Sequence, residues 1–285
     1  MAEIDIAPIR AHLGTRIVDE DVATAAPLRG MVVTFDRDEV APAEGEPIAP
    51  GWHLAYFPAA NRLASLGADG LPLESGVLPA MPLPRRMYAG ATLTFHAPIM
   101  VGDRLRRETE FSDVQLRKGG TGTLIVATQT RRISTPRGLA LTEDTVSVFR
   151  EAVPPGTQSG IPQTEPPPAG MTWTRTIRPD PVTLFRYSAL TFNPHRIHYD
   201  RPYAMNTEGY PGLVVHGPFS QQCLLDLLRD NVSRPIVMFT MRARAPMFDD
   251  AAFTLQGRMV NENEAELFAV SARGGIAMQA RATLG

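Results

Sequence analysis

This chain of 285 residues has almost no cysteine and almost no net charge. It has one cysteine, Cys223, which excludes an internal disulfide and any zinc site built from several cysteines. Its formal net charge is −2 and it has no basic block, so we expect no nucleic-acid partner. Lys118 is the single lysine, and the other basic residues are arginines, which suit planar contacts with phosphate and carboxylate.

Long apolar segments are also missing. No apolar run is long enough to span a bilayer, and the first ten residues lack the charged-then-apolar order of a signal peptide. We therefore expect a cytoplasmic protein that binds no membrane. Hydrophobic residues make up 44% of the chain and charged residues 20%, which is typical of globular proteins, and the length suffices for one large or two modest domains.

The stretch 180–228 carries the strongest local pattern. Asp180 is a good helix cap and Pro181 suits the first helical position, so a helix is predicted there. The helix should end at Asn193, because Pro194 disfavours a helical residue before it. A polar loop follows, and a second, apolar helix is predicted to begin at 216–218. Histidines in a loop beside a helix N-terminus can exchange protons and stabilise a developing negative charge.

An internal repeat organises the rest of the chain. In the second half a helix head at 216–218 is followed by strands at 237–244, 253–260, 265–272 and 275–283. The first half shows a short apolar segment of either type at 30–38, an apolar helix at 51–57, and strands at 88–95, 105–115, 123–133 and 139–149, with a hairpin turn at 118–122. Residues 1–30 read as a helix or an arm.

This repeat predicts an α+β fold with two copies of a central helix wrapped by an antiparallel sheet. The two sheets should pair edge to edge, which protects one edge of each and leaves a cleft between the helices. We assign a degenerate N-terminal copy to residues 1–151, an extended linker rich in Pro, Gly, Ser, Thr and Gln to 152–170, and the catalytic copy to 171–285.

Three motifs carry a family resemblance. N-P-x-x-x-H-x-D at 193–200, P-Y-A at 202–204 and V-V-H-G at 214–217 resemble the MaoC-like, or hydratase 2, enzymes, which are hotdog folds. The segments 188–200 and 84–90 are similar to the subgroup that contains hydroxyacyl-thioester dehydratase type 2, mesaconyl-C4-CoA hydratases and itaconyl-CoA hydratases. The resemblance covers most of the chain and implies a double hotdog.

The same resemblance implies the reaction. It is the reversible addition of water to a short, dicarboxylic 2-enoyl-CoA, with itaconyl-CoA and citramalyl-CoA as the expected pair and a role in itaconate degradation. Mesaconyl-C4-CoA or a fatty acyl thioester is the alternative. Coenzyme A belongs to the substrate, and no metal or other cofactor is implied. The oligomeric state stays open, with a homodimer as one option.

The resemblance also implies catalytic roles. His198 occupies the position of the acid–base histidine, and the N–H of Gly217 that of the group that binds the thioester oxygen. The family's aspartate is replaced by Thr191, which cannot serve as a base near neutral pH. Three replacements remain open: Asp200, His195, or a water that Asn193 holds for His198.

Seven further residues are candidates for binding CoA phosphates or a substrate carboxylate. Guanidinium groups suit both anions. Arg85 and Arg86 stand in a motif, Arg242 and Arg244 alternate along a strand, and the remaining candidates are Arg186, Arg196 and His216. For His216, packing or a hydrogen bond is the simpler role.

Two other classes of function compete with the hydratase. His195, His198 and Asp200 offer two imidazoles and a carboxylate, which on a zinc ion could be three ligands. Alternatively, the chain could keep the fold and bind acyl-CoA without catalysis.

Overall fold

A computed structural model of the protein describes residues 4–59, 61–74, 76–119, 122–152, 154 and 156–285. Within these ranges ten strands form one antiparallel sheet. The strands are β1 Arg16–Val22, β2 Arg85–Phe95, β3 Arg104–Gly119, β4 Gly122–Thr135, β5 Gly138–Arg150, β6 Trp173–Ile177, β7 Ile236–Ala243, β8 Phe253–Asn261, β9 Glu264–Val270 and β10 Ile276–Leu284.

The strand order shows how the two halves are joined. It runs β1-β3-β4-β5-β2-β7-β10-β9-β8-β6, so the five N-terminal strands lie on one side and the five C-terminal strands on the other. The junction is the antiparallel pair of β2 and β7, with Thr92 opposite Thr240. The predicted edge-to-edge pairing of two sheets is therefore confirmed, and neither β2 nor β7 is left as an open edge.

Four α-helices accompany the sheet in the described residues: α1 Ala7–Arg10, α2 Ala25–Thr34, α3 Pro181–Leu190 and α4 Gly217–Asn231. The helix α4 is the central helix of the C-terminal half, and all its residues from Phe219 to Leu228 are buried. It packs against β8, β9 and β10, whose inward residues belong to the same hydrophobic cluster. Short helical turns occur at Trp52–Ala55, Leu63–Ser65, Arg196–His198 and Tyr203–Thr207.

The helix α3 begins and ends as the sequence predicts. The Asp180 carboxylate accepts a hydrogen bond from the Thr183 N–H at 2.6 Å, and Pro181 is the first helical residue. After Thr191 the chain turns at Phe192, whose φ of +51° lies in the left-handed region. The equivalent helix α2 also has ten residues, and Asp36, two residues past its end, has the same φ of +51°. This shared turn supports the internal repeat.

The predicted N-terminal central helix at 51–57 is wrong. Only the 3₁₀ turn Trp52–Ala55 forms there, between two left-handed residues, Gly51 and Phe57. Pro58 further disfavours helix at Phe57. A Cβ at Gly51 would lie 2.1 Å from Gln222 Oε1 of α4, so the helix of the other half closes tightly over this turn.

Other deviations are smaller. The segment 30–38 lies partly in α2. The arm at 1–30 contains the edge strand β1, which the sequence did not identify as a strand because its residues are charged and half-exposed. The strands of the 118–122 hairpin pair up to Gly119 and Gly122, while residues 120–121 lie outside the described ranges. Through all the ranges described, we find no helix of the length and apolarity that a bilayer crossing requires.

Candidate active site

A cavity of about 1070 Å³ lies between the two halves. On the C-terminal side it is lined by the loop 193–198 and by Gly217 at the start of α4. On the N-terminal side it is lined by the turn that holds His53 and by the inner faces of β3, β4 and β5. The cavity therefore occupies the space beside the short turn that stands where the N-terminal half was predicted to have a helix.

His198 lies in the 3₁₀ turn Arg196–His198, is 7% exposed and lines the cavity. Its Nδ1 is 2.7 Å from the carbonyl oxygen of Val214. Because a carbonyl can only accept, Nδ1 carries the hydrogen and Nε2 is the unprotonated nitrogen. Burial lowers the pKa of His198 to about 4, so the imidazole is neutral near pH 7 and can take up a proton.

The ring of His216 packs against the ring of His198. The two rings are stacked, with centroids 3.6 Å apart and planes inclined by 19°. The His216 ring is fully buried, and its Nε2 is 2.8 Å from the hydroxyl of Ser188. Burial and the neighbouring imidazoles lower its pKa, which keeps it neutral. His216 is not among the described residues that line the cavity, so its predicted contact with substrate is not supported, and its observed contacts are those of a packing residue.

His195 and Asn193 also line the cavity. The His195 ring stands perpendicular to that of His198, with centroids 5.4 Å apart. Burial, and then the neighbouring groups His198, Arg86 and Arg85, lower the pKa of His195. Asn193 Oδ1 accepts the backbone N–H of His195 at 3.1 Å, which fixes the loop in a turn. The structure thus brings His195 against His198, and Asn193 lies on the wall of the same cavity.

Gly217 is the first residue of α4, and its N–H belongs to the helix end that has no intrahelical acceptor. A Cβ on Gly217 would lie 2.4 Å from Cδ1 of the Tyr88 ring, so only glycine fits. The hydroxyl of Tyr88 donates to Gln221 Oε1 at 2.8 Å, one turn further along α4. These two contacts with Tyr88 fix the position of the helix end beside the cavity.

Asp200 takes part in a different structure. Its Oδ2 is 2.7 Å from Arg196 Nη2, and its Oδ1 accepts the N–H of Tyr203 at 3.0 Å. Neither Asp200 nor Arg196 is among the described residues that line the cavity. The predictions that Asp200 acts in catalysis and that Arg196 binds substrate are therefore not supported, because each side chain binds the other and stabilises the loop.

The described residues give no support to the zinc alternative. Asp200 would have to join His195 and His198, but its carboxylate is held by Arg196 and Tyr203. Over the ranges that the structure describes, no three His, Cys, Asp or Glu side chains are arranged to hold a metal ion.

The other predicted arginines fall into three sets. Arg85 is buried against the carboxylate of Glu208, with Nε and Oε2 2.5 Å apart, and it stabilises the fold. Arg186 on α3 and Arg242 on β7 are exposed and are not among the described cavity residues. Of the predicted arginines in the described ranges, only Arg86 and Arg244 line the cavity, Arg244 from an exposed position.

Sequence reasoning missed the polar inner face of the N-terminal strands. Gln129, Arg131, Glu143, Thr145 and Ser147 all line the cavity. Arg131 Nη1 is 3.1 Å from Glu143 Oε2, and that charge, with His53 3.7 Å away, holds the pKa of Glu143 at about 2. The signal was available, since these positions alternate along two predicted strands and so share one face.

The fold and this site define the class of the protein as a MaoC-like double hotdog. Three solved structures show the fold at low sequence identity: HtdX of Mycobacterium tuberculosis (TM-score 0.69, 15% identity, 95% of this chain and 99% of that one); a MaoC-like dehydratase of Phytophthora capsici (0.70, 13%, 99% and 98%); and a second M. tuberculosis protein described as a double hotdog (0.60, 12%, 95% and 96%).

The sequence narrows the class to one family. The model of hydroxyacyl-thioester dehydratase type 2 matches residues 51–249. The chain is 41% identical over 272 residues, 95% of both proteins, to the mesaconyl-C(4)-CoA hydratase of Chloroflexus aurantiacus. It is 27% identical to the mitochondrial hydroxyacyl-thioester dehydratase type 2 of Schizosaccharomyces pombe, over 70% of this chain and 74% of that one. The chain belongs to the hydroxyacyl-thioester dehydratase type 2 family and is an enzyme of the hydro-lyase class.

Proposed function

We propose that the protein adds water reversibly to a short dicarboxylic 2-enoyl-CoA thioester. One observation carries this proposal: the imidazole of His198, with Nε2 unprotonated, lines the same cavity as the N-terminal end of α4 at Gly217. A base for water and a donor for a developing oxyanion are the two groups that conjugate addition to a thioester requires.

The steps follow from these two positions. His198 Nε2 takes a proton from water while the water oxygen bonds to the β-carbon of the substrate. The electron pair of the double bond moves toward the thioester, and the Gly217 N–H stabilises the negative charge on its oxygen. The α-carbon then takes a proton from the imidazolium, which restores neutral His198. One water is added in total, and dehydration follows the same path in reverse.

The charges of the cavity support an anionic acyl group. Among its described lining residues, five arginines stand against two carboxylates, those of Asp19 and Glu143. Arg107 is paired with Asp19 and Arg131 with Glu143, so that among the described lining arginines of the N-terminal strands Arg86 and Arg150 have no carboxylate partner. We expect exposed Arg244 to bind the phosphates of CoA. A wholly apolar fatty chain would leave Arg86 and Arg150 without an anionic partner.

Chemistry favours one dicarboxylic substrate over another. An oxyanion mechanism needs a double bond conjugated with the thioester, as in mesaconyl-C4-CoA, on which the relative at 41% identity is named to act. In itaconyl-CoA a methylene separates the double bond from the thioester carbonyl. We therefore propose mesaconyl-C4-CoA as the first substrate, hydrated at its β-carbon to citramalyl-CoA, and the hydration of itaconyl-CoA to the same product remains a prediction for the assay.

The test is a panel of CoA thioesters incubated with the purified protein. It contains mesaconyl-C4-CoA, itaconyl-CoA, crotonyl-CoA and a long 2-enoyl-CoA. We expect mesaconyl-C4-CoA to be hydrated with the highest kcat/KM. Hydration is measured as the loss of enoyl absorbance and as a mass gain of one water. Faster hydration of the long-chain thioester would contradict the dicarboxylic assignment. Binding of acyl-CoA without hydration of any thioester would favour the non-catalytic alternative.

A further inference from the structure

The inner face of the N-terminal sheet is polar where that of the C-terminal sheet is apolar. In the C-terminal half, Leu255, Leu267 and Ala280 are buried with α4 in the main hydrophobic cluster. In the N-terminal half, β4 and β5 present the polar set Gln129, Arg131, Glu143, Thr145 and Ser147 to the cavity. Because burying polar groups without a polar partner is costly, this face is suited to a polar ligand.

Most charges on this face already have a partner. Arg107 Nη2 is 2.8 Å from Asp19 Oδ2, and Arg131 binds Glu143. Arg86 and Arg150 differ from both, because each reaches only neutral acceptors. Arg150 Nη2 contacts Ser159 Oγ at 3.2 Å and the Tyr210 hydroxyl at 3.4 Å. Arg86 Nε and Nη2 contact Ser147 Oγ and Gln129 Oε1, each at 3.3 Å, and of these two arginines it is Arg86 that shares β2 with Tyr88, next to Gly217.

No carboxylate of the described residues lies within ion-pair distance of Arg86. Burial and the positive charge of Arg131 lower the pKa of Arg86 to about 10, against a smaller opposing effect of the more distant Asp69 carboxylate. Arg86 thus remains a cation on the cavity wall with its hydrogen-bonding capacity only weakly used.

We propose that Arg86 binds the free carboxylate of the acyl group and thereby selects dicarboxylic over monocarboxylic thioesters. The inference rests on the proposed function, since it names the residue that recognises the acyl carboxylate at the same site. A guanidinium can bind a carboxylate through two parallel hydrogen bonds, which gives strength and orientation together.

The position of Arg86 along β2 suits this role. Arg86 and Tyr88 lie two residues apart on β2, and Tyr88 touches Gly217, where the thioester oxygen would bind. Two residues of a strand span about 6.6 Å. The end carbons of a four-carbon acyl chain are about 4 Å apart. A short acyl group bound at Gly217 could therefore place its far carboxylate within reach of the Arg86 side chain.

Two four-carbon substrates test the inference directly. Crotonyl-CoA ends in a methyl group, and fumaryl-CoA has a carboxylate in the same place. The measured quantity is the ratio of kcat/KM for fumaryl-CoA to that for crotonyl-CoA, in the wild type and in Arg86→Gln, Arg86→Lys and Arg107→Gln. Arg107 is the matched control, because it lines the same cavity but is paired with Asp19.

We expect the wild type to prefer fumaryl-CoA and Arg86→Gln to lower the ratio about a hundredfold, the effect of losing a charged hydrogen-bond pair. Arg86→Lys should retain part of the preference, because it keeps the charge but not the planar fork. Arg107→Gln should leave the ratio within about twofold, as expected for a residue outside the contact. Calorimetric binding of succinyl-CoA and butyryl-CoA should show the same change, independently of turnover.

Three results would overturn the inference. The first is an equal loss on both substrates in Arg86→Gln, and the second is a ratio that falls only in the control. The third is a wild type without preference for the carboxylate. If Arg86→Gln does not fold, the folded Arg86→Lys variant decides by the same ratio. If the wild type hydrates none of the thioesters, mesaconyl-C4-CoA included, the proposed function fails, whereas tighter binding of succinyl-CoA that depends on Arg86 would still uphold the carboxylate site.

Discussion

The C-terminal half of the sheet wraps the fifteen-residue helix α4, whereas the N-terminal half faces a cavity across a four-residue turn. Both halves are otherwise built from a ten-residue helix with the same left-handed turn after it and from long antiparallel strands. A sheet that covers a helix needs an apolar inner face. A sheet that covers no helix can carry polar side chains on its inner face. Arg86, Arg131 and Glu143 line the cavity on this side.

The loops that follow the two equivalent helices differ in the same way. In the C-terminal half the loop carries His198 to the N-terminal end of α4. In the N-terminal half the corresponding loop binds the other end of that helix. Arg37 Nη1 is 2.9 Å from Asp230 Oδ2, and Arg229 Nη1 is 2.9 Å from Glu39 Oε2. The C-terminal loop thus holds the proposed base, and the N-terminal loop supports the helix beside which that base lies.

The largest effect is expected from His198→Ala, which removes the proposed base from the C-terminal loop. Turnover should fall by a hundredfold or more, the range for loss of general acid–base catalysis, at about 10²–10⁴-fold. His96→Ala is the control, since this histidine bonds to Thr142 on the outer part of the sheet. Steady-state kinetics with mesaconyl-C4-CoA measure both variants, and undiminished turnover in His198→Ala would reject the assignment.

Gly217→Ala tests the start of α4, which has no counterpart in the other half. The added Cβ would overlap the Tyr88 ring, so the helix end must shift. We expect a loss of about tenfold in kcat/KM and a destabilisation of about 1–3 kcal/mol, as for overpacking. Combining it with Tyr88→Ala should cost less than the sum of the two single changes, because the clash is removed. Strict additivity in kinetics and in urea unfolding would argue against this contact.

The acid side of the pH profile tests the neutral state of His198. With a folded pKa of about 4, its base form persists well below pH 6.5, so kcat/KM should stay level down to about pH 5 and then fall. Protonation of the unfolded chain near pH 6.5 destabilises the fold. The contribution of His198, about 3 kcal/mol, is therefore present above pH 6.5 and lost between pH 6.5 and 4.

The measurements are a kcat/KM profile and urea unfolding at pH 7 and pH 5. His195 and His216, whose pKa values are also lowered, should steepen the loss of stability in acid. His198→Asn, which does not titrate, should flatten the pH dependence of unfolding by its own share. An activity that falls already near pH 6.5 would show that the imidazole is not held neutral by the fold.

How much of this was accessible from the sequence depends on the range of the forces involved. The cap of α3 at Asp180 and its end before Pro194 are local, and both were predicted correctly. The turn at 52–55 was mistaken for a helix, because an apolar composition indicates that a segment is buried but does not indicate how long its helix is. Its residues are apolar since α4 of the other half packs on them, with Gln222 and Leu225 against Gly51. That contact crosses the chain and leaves no local signal.

The site shows the same division. The sequence indicated His198 and Gly217 but not their partners, because the stack of His216 on His198 is a matter of geometry alone. The pairing of Arg196 with Asp200 was within reach of sequence reasoning, since opposite charges four residues apart often pair in a turn. The unpaired state of Arg86 was not, because it depends on where every carboxylate of two folded strands comes to lie.

The smallest expected effect concerns the N-terminal loop and separates support from chemistry. Glu39→Gln weakens the ion pair with Arg229 at the end of α4, so we expect a destabilisation of about 1 kcal/mol, as for a partly exposed ion pair. Because the site lies at the opposite end of the helix, kcat and KM should stay within about twofold at temperatures where the variant is folded. Thermal unfolding and steady-state kinetics on the same preparation measure the two effects. A loss of turnover without a loss of stability would mean that the N-terminal loop takes part in the reaction, and the division of labour between the two halves would then have to be abandoned.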